Sequence, residues 1–283
     1  MTSAIKTVAV IGAGQMGAGI AQVCAACGYK TLLWDALEGA ADKALGNIET
    51  QLNKALEKGK TDQAKKNETL KNLKKASGME DFSQADLLIE AIIENFEIKS
   101  ELYGRLNDIL SDNAILASNT SSISITKLAS TYKNPQNFIG MHFMNPVPVM
   151  KLVEIIRGLQ TSERTYNTAK EASEKMGKTC VLAIDSPGFI VNRILVPMVN
   201  EAIFLLQEGV SPEDIDNAMK LGTNQPMGPL ALADFVGLDT LLYILRILHR
   251  ELGEDKYRPC PLLTKYVEAG WYGKKSGRGF YKY

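Results

Sequence analysis

Apolar residues along the chain fall into short continuous runs, set between stretches whose polarity turns over every three to four positions. Thr7-Val8-Ala9-Val10-Ile11 is one such run, ending in glycines, and it reads as a buried parallel strand. Ala18 to Ala26 follows as a helix of small residues, which Gly28 stops. Thr31-Leu32-Leu33-Trp34 is a second strand, ending at Asp35, and together these make a β-α-β unit of about 30 residues. Strand-like runs recur at Asp86–Ile93, Ala114–Ser118, Phe138–Phe143, Leu152–Ile156 and Val181–Ile184. Helical patterns lie between several of them, at Glu97–Leu110 and Glu163–Met176. This alternation predicts a doubly wound α/β sheet whose later strands need not all be parallel.

Two stretches break the alternation. Residues 36–76 are polar, helical and lysine-rich, with a turn near Lys58-Gly59-Lys60, and they predict a helical hairpin inserted after the second strand. After Asp185-Ser186-Pro187-Gly188 no convincing strand follows until the very end. Phe189 to Gln207 is apolar on nearly every face, as a helix is when it is buried in a core or against a second chain, and Pro197 is expected to kink it. Ser211-Pro212-Glu213-Asp214 is a helix start, with a capping serine, proline at the first position and acids in the first turn. Leu230 to Leu252 supplies one or two more helices. The expected organisation is a sheet domain over 1–185 and a helical domain over 186–283.

Composition narrows the classes. A chain of 283 residues suits two domains, and its 32 basic and 32 acidic residues set up no global field to attract nucleic acid or a membrane. No apolar run reaches the roughly 20 residues of a membrane helix. Met1 to Lys6 lead straight into a strand with no leader-like pattern, so a cytoplasmic protein is expected. Of the four cysteines, Cys24 and Cys27 are spaced as a redox pair or half a metal site, but they lie in an alanine-rich helix with no second half elsewhere. They read as small packing residues, and no metal is expected.

Gly12-Ala13-Gly14-Gln15-Met16-Gly17 fits G-x-G-x-x-G, a weak signal alone. Here it follows a strand, opens a helix, and is followed by an acid at the end of the next strand, which is the context a Rossmann-type dinucleotide site requires. Gly12 allows the tight turn, Gly14 a close backbone approach to pyrophosphate, and Gly17 close packing of helix on strand. The amides of a helix N-terminus, among them those of Gln15 and Met16, face the phosphates. Asp35 would accept hydrogen bonds from the adenosine ribose and repel a 2′-phosphate, so NAD is favoured, with NADP left open.

The chain has two histidines. His249 sits in a helix-like stretch and reads as a partly exposed helix residue. His142 ends a strand, where catalytic groups of α/β sheets gather, and Ser118-Asn119-Thr120-Ser121-Ser122 follows another strand to the same edge. A dehydrogenase acting on an alcohol needs a base for the hydroxyl proton, and a carboxylate to orient that base. Glu154 is a lone acid in the apolar strand Leu152-Val153-Glu154-Ile155-Ile156. Burying it unpaired is expensive, and pairing with His142 would explain it, as would pairing with backbone, Lys or Arg.

The segments VAVIGAGQMGAGIAQ, ASNTSS, GMHFMNPVPVMKLVEII, DSPGFIVNRIL, EDIDNAMKLG, PMGPLALADFVGLD and GKKSGRGFY, spanning residues 8 to 281, resemble the L-3-hydroxyacyl-CoA dehydrogenase family, most of all its bacterial 3-hydroxybutyryl-CoA dehydrogenase branch. The resemblance implies His142 as catalytic acid/base, Glu154 as its partner, Ser121 as hydrogen-bond donor to the substrate's 3-oxygen, and Asn192 as a holder of the reacting acyl group. It implies Asn145 near the nicotinamide amide and substrate, Glu94 and Lys99 on the nicotinamide side, and Lys275 at the cofactor site. It gives the hairpin a use: Lys54, Lys58 and Lys60 lie where family members contact coenzyme A, and Gln51 stands where they carry a hydroxyl. These lysines, mixed with Glu57 and Asp62, equally fit a solvated charged face. The helical domain resembles the family's dimerisation domain, so a homodimer is expected. The implied reaction interconverts acetoacetyl-CoA and (S)-3-hydroxybutyryl-CoA. Two other readings stand beside it: a dehydrogenase of a free hydroxy acid or sugar acid, and a non-catalytic dinucleotide-binding protein.

Overall fold

A computed structural model describes residues 5–283, and the chain separates into two compact units, Met1–Asp185 and Ser186–Tyr283. The first is built on an eight-stranded sheet. Its strands are β1 (Thr7–Ile11), β2 (Lys30–Trp34), β3 (Leu73–Lys75), β4 (Leu87–Glu90), β5 (Ile115–Ser118), β6 (Phe138–Phe143), β7 (Leu152–Arg157) and β8 (Thr179–Ile184), in the order β3-β2-β1-β4-β5-β6-β7-β8. Every residue of β1 and β6 is buried, which is why both appear in the sequence as unbroken apolar runs rather than alternating ones.

Helix α1 (Gln15–Ala26) packs its small residues against this sheet; a β-carbon at Gly19 would meet the Val147 side chain. It begins at Gln15, three residues before the expected start, because the glycine turn itself forms its N-terminus. The insertion holds α2 (Ala40–Glu57) and α3 (Gln63–Asn72), joined through Gly59 at φ +64° and capped where Asp62 accepts from the Lys65 amide. The expectation of a wholly helical insertion is corrected at its end. Leu73–Lys75 pair in parallel with β2 as β3, because Leu73 is buried and the β2 edge offers backbone partners that a further helical turn would leave unused.

The remaining helices of this unit are α4 (Phe96–Leu106), α5 (Ile125–Ala129) and α6 (Glu163–Lys175). The sheet is parallel from β3 through β6. It reverses at β7, which runs antiparallel to β6, while β8 runs parallel to β7.

The second unit is helical: α7 (Val191–Gln207), α8 (Pro212–Thr223), α9 (Pro229–Val236), α10 (Leu238–Leu252) and α11 (Pro261–Glu268). α7 runs on through Pro197. It buries Val196, Val199, Ala202 and Ile203 in a core shared with Leu230, Leu241, Leu245 and Leu263, and leaves Ile194 and Leu205 exposed. The Ser211 side chain accepts from the Asp214 amide at the start of α8. Two buried acids staple the unit. Asp216 accepts from the Leu230 and Ala231 amides at the start of α9, and Asp234 from the Phe280 and Tyr281 amides, fastening the C-terminal segment.

Among the described residues no helix is long and apolar enough to cross a membrane. Among the same residues no group of three His, Cys, Asp or Glu side chains is arranged to hold a metal. Cys24 is buried with its Sγ 3.8 Å from the Met176 sulfur, and burial pushes its thiol far above the ordinary value, as expected of a packing residue.

Candidate active site

The glycine turn lies at the carboxyl end of β1. Gly12 takes φ +100°, and a β-carbon there would strike the Ala91 carbonyl; one at Gly17 would strike the Gly12 carbonyl. Around Gly14 the space is open. α1 starts with no side-chain cap and no acid in its first turn, so its leading amides carry the helix's positive end unopposed. Asp35, just past β2, accepts from the Ala13 amide at 2.6 Å and the Leu37 amide at 2.9 Å, which ties it to the turn and fixes its carboxylate. A cavity of about 580 Å³ runs from Gly12, Gly14, Gln15 and Met16 past Asp35 to apolar walls at Ile92, Ile93 and Ile98, with Glu101 and Arg105 at α4. Uncapped amides, a glycine without a β-carbon's bulk, a ribose-type acid and an apolar slot fit a dinucleotide.

Two strands carry the candidate base and its partner. β6 and β7 are antiparallel neighbours in a register that sets His142 directly opposite Glu154, so both side chains leave the same face of the sheet. His142 Nδ1 and Glu154 Oε2 are 2.6 Å apart, with the glutamate 0% and the histidine 7% exposed. A carboxylate on Nδ1 fixes the tautomer in which Nε2 can accept a proton, and stabilises the imidazolium once it has. The lone acid of the apolar strand thus has the histidine among its partners.

Next to β6, in the turn just past the end of β5, Thr120, Ser121 and Ser122 are gathered by a single carboxylate. Glu94 Oε1 accepts from the Thr120 hydroxyl at 2.7 Å, from the Ser121 amide at 2.9 Å and hydroxyl at 3.2 Å, and from the Ser122 amide at 3.0 Å and hydroxyl at 2.9 Å. Burial alone would raise the Glu94 pKa, but the nearby Lys99 charge and these hydrogen bonds outweigh it and hold the carboxyl below its ordinary value. Asn119 reaches the neighbouring strand, its Oδ1 accepting from the Phe143 amide at 2.9 Å, and so locks the turn to the residue after His142.

Behind the turn is a second carboxylate that sequence reasoning missed. Glu90 is completely buried and accepts from Lys99 Nζ at 2.5 Å, the Tyr103 hydroxyl at 2.7 Å, the Ser118 hydroxyl at 2.8 Å and the Ile92 amide at 2.7 Å. Lys99 is 1% exposed, with its ammonium between Glu90 and Glu94. Lys99, expected on the nicotinamide side, is held here by these two carboxylates.

The loop between β6 and β7 is also fixed from within. Asn145 Oδ1 accepts from the Gln15 side chain at 3.0 Å, and the buried Lys178 ammonium donates to the Val147 carbonyl at 2.5 Å and the Met150 carbonyl at 2.9 Å. This loop, α1 and α2 border a further cavity of about 700 Å³. Gln51 lines it together with Lys43 and Asn47, two residues the sequence did not single out, whereas Lys54, Lys58 and Lys60 are exposed and outside its lining. In the second unit, Asn192 occupies the first turn of α7, and Lys275 donates to Asp239 at 2.7 Å.

The chain matches two family models that together span it: 3-hydroxyacyl-CoA dehydrogenase, NAD binding domain, over residues 7–186, and 3-hydroxyacyl-CoA dehydrogenase, C-terminal domain, over 188–283. The chain belongs to the 3-hydroxyacyl-CoA dehydrogenase family. Among its relatives in that family is a probable 3-hydroxybutyryl-CoA dehydrogenase of Bacillus subtilis, 54% identical over 99% of this chain and 98% of that protein. The 3-hydroxybutyryl-CoA dehydrogenase of Bradyrhizobium diazoefficiens is 50% identical over 100% and 97%. The crystal structure of (S)-3-hydroxybutyryl-CoA dehydrogenase from Ralstonia eutropha superposes with a TM-score of 0.96 at 47% identity, covering 99% of both chains. A dinucleotide site in the first unit is what the matching NAD-binding family model leads one to expect.

Proposed function

We propose that this protein is an NAD-dependent 3-hydroxybutyryl-CoA dehydrogenase that interconverts acetoacetyl-CoA and (S)-3-hydroxybutyryl-CoA. One observation carries the chemistry: a histidine paired with a buried carboxylate, on strands next to a serine turn, in a sheet whose other half forms a dinucleotide cleft. The names of relatives at 54% and 50% identity support the substrate.

Gly14, the leading amides of α1 and Asp35 would hold NAD, which supplies the hydride exchange at the substrate's third carbon. In reduction, protonated His142 donates its Nε2 proton to the developing alkoxide, and Glu154 stabilises the imidazolium until it does. Ser121 turns its hydroxyl proton from Glu94 to the same oxygen while its amide stays on Glu94, a contribution that grows as charge builds there. In oxidation His142 takes the hydroxyl proton back. Asn145, Asn192 and Lys275 are assigned ligand contacts from the sequence match. The CoA portion of the substrate is assigned to the α2 side, with Gln51 facing the cavity and Lys54, Lys58 and Lys60 available at the rim as mobile point charges. The charge of Asp35 disfavours the 2′-phosphate of NADP. The assembly is assigned as a homodimer through the helical unit.

Steady-state reduction of acetoacetyl-CoA and of free acetoacetate, each with NADH and NADPH, tests the substrate. The thioester with NADH is expected to give a kcat/KM larger by about a hundredfold or more than the free acid, because remote binding energy is available only from the CoA moiety. Equal values for the two substrates would favour a dehydrogenase of free hydroxy acids. No turnover with either would favour a non-catalytic dinucleotide-binding protein.

A further inference from the structure

Glu90 has no part in the reaction as just described, yet it is completely buried with four donors on its carboxylate. It sits at the last position of β4, in register with Ser118 at the last position of β5. Its carboxylate collects four donors in the interior, where an ionised group is retained only with such compensation. Two of those contacts lead to the same place. The Ser118 hydroxyl donates to Glu90 and accepts from the Thr120 amide at 3.2 Å, so Glu90 grips the serine turn at its root. Lys99, 2.5 Å from Glu90, is also 3.6 Å from Glu94, whose other oxygen holds the amide and hydroxyl of Ser121.

We propose that Glu90 is a positioning residue for Ser121: it anchors the base of the turn through Ser118, and through Lys99 it sets where Glu94 stands. This rests on the reading of Ser121 as donor to the substrate's 3-oxygen. The charge balance gives the reason. One ammonium serves two carboxylates, so neutralising Glu90 leaves Lys99 wholly to Glu94. That draws the Glu94 carboxylate toward Lys99 and away from the turn. Ser121 then loses its fixed direction, and a small misplacement of a group acting on the reacting oxygen lowers turnover far more than binding.

The test is a double-mutant cycle on the full chain. Glu90→Gln is expected to lower kcat for acetoacetyl-CoA about tenfold or more while the KM for NADH stays within about threefold. In a Ser121→Ala background the same substitution is expected to cost less than about twofold, because the route from Glu90 ends at that hydroxyl. If Glu90→Gln fails to fold, Ser118→Ala cuts the direct link and leaves the Glu90–Lys99 pair in place. It is expected to show the same kcat-selective loss and the same masking by Ser121→Ala. Losses that multiply in the double variant overturn the positioning role and leave the function standing. Normal turnover of Ser121→Ala overturns the reading of Ser121, and the positioning role with it.

Discussion

At the scale of single residues, the site rests on carboxylates whose placement is costly and whose partners explain the cost. Glu94 makes this measurable through pH. Its folded-state pKa lies below the ordinary carboxylate value, so its ionised form favours the folded protein. That contribution is complete above the unfolded value of about 4.3 and is lost as pH falls through the depressed folded value. The melting temperature of the protein is therefore expected to fall on acidification below about pH 5, and that of Glu94→Gln to fall less over the same interval. Parallel melting curves for the two proteins across that range would remove Glu94 from the account. Glu154 was legible in the sequence because a single acid interrupts an apolar strand and demands a partner. Glu90 carries the same signal, a lone acid inside the apolar run Asp86–Ile93, but nothing in the sequence around it names a partner. What distinguishes it is the lysine nine positions later, and only the fold of α4 against β4 brings the two together. Lys178 was equally silent: it reads as an ordinary charge before a strand until the β6–β7 loop folds its carbonyls over it.

At the scale of elements, the decisive feature is the reversal of direction at β7. A parallel neighbour would not give the direct cross-strand pairing that sets Glu154 opposite His142. Periodicity located both strands but said nothing of their relative direction, since a buried strand has the same apolar run either way. The hairpin was legible as two helices, while β3 was not, because a three-residue edge strand leaves too short a pattern and its polar residues face out. In the helical unit, α7 and α8 border an apolar groove of about 490 Å³ lined by Met198, Ala202, Leu205, Ile215, Ala218 and Met219, with Leu205 41% exposed. Such a groove suits a second copy of the chain, which the expected homodimer would supply. Sedimentation is expected to return about twice the chain mass for the parent protein, and a shift toward the single-chain mass for Leu205→Glu, where a charge would be buried without a partner. A parent protein sedimenting as one chain would contradict the homodimer.

At the scale of the molecule, each unit has its own core and its own polar staples, and the chemistry proposed here draws chiefly on the first. The glycine turn at one end of β1 and the histidine at the end of β6 lie on opposite sides of the sheet's central strands. A cofactor cleft and an acid–base pair therefore share one rigid frame. The sequence motif for the cleft was legible because Gly12 and Gly17 answer local steric demands and Gly14 leaves the helix start open. The CoA-facing surface was less so: lysines on α2 suggest a polyanion, but which of them face the cavity depends on the helix's rotation, and Lys43 rather than Lys54 lines it. The reaction proposed for this frame depends on His142 moving the proton. Its most direct test is His142→Gln, with NADH binding followed by fluorescence and acetoacetyl-CoA reduction followed at saturating substrate. NADH affinity is expected within about threefold of the parent and kcat lower by about 10²-fold or more; turnover close to the parent's, with binding intact, would rule out His142 as the acid/base.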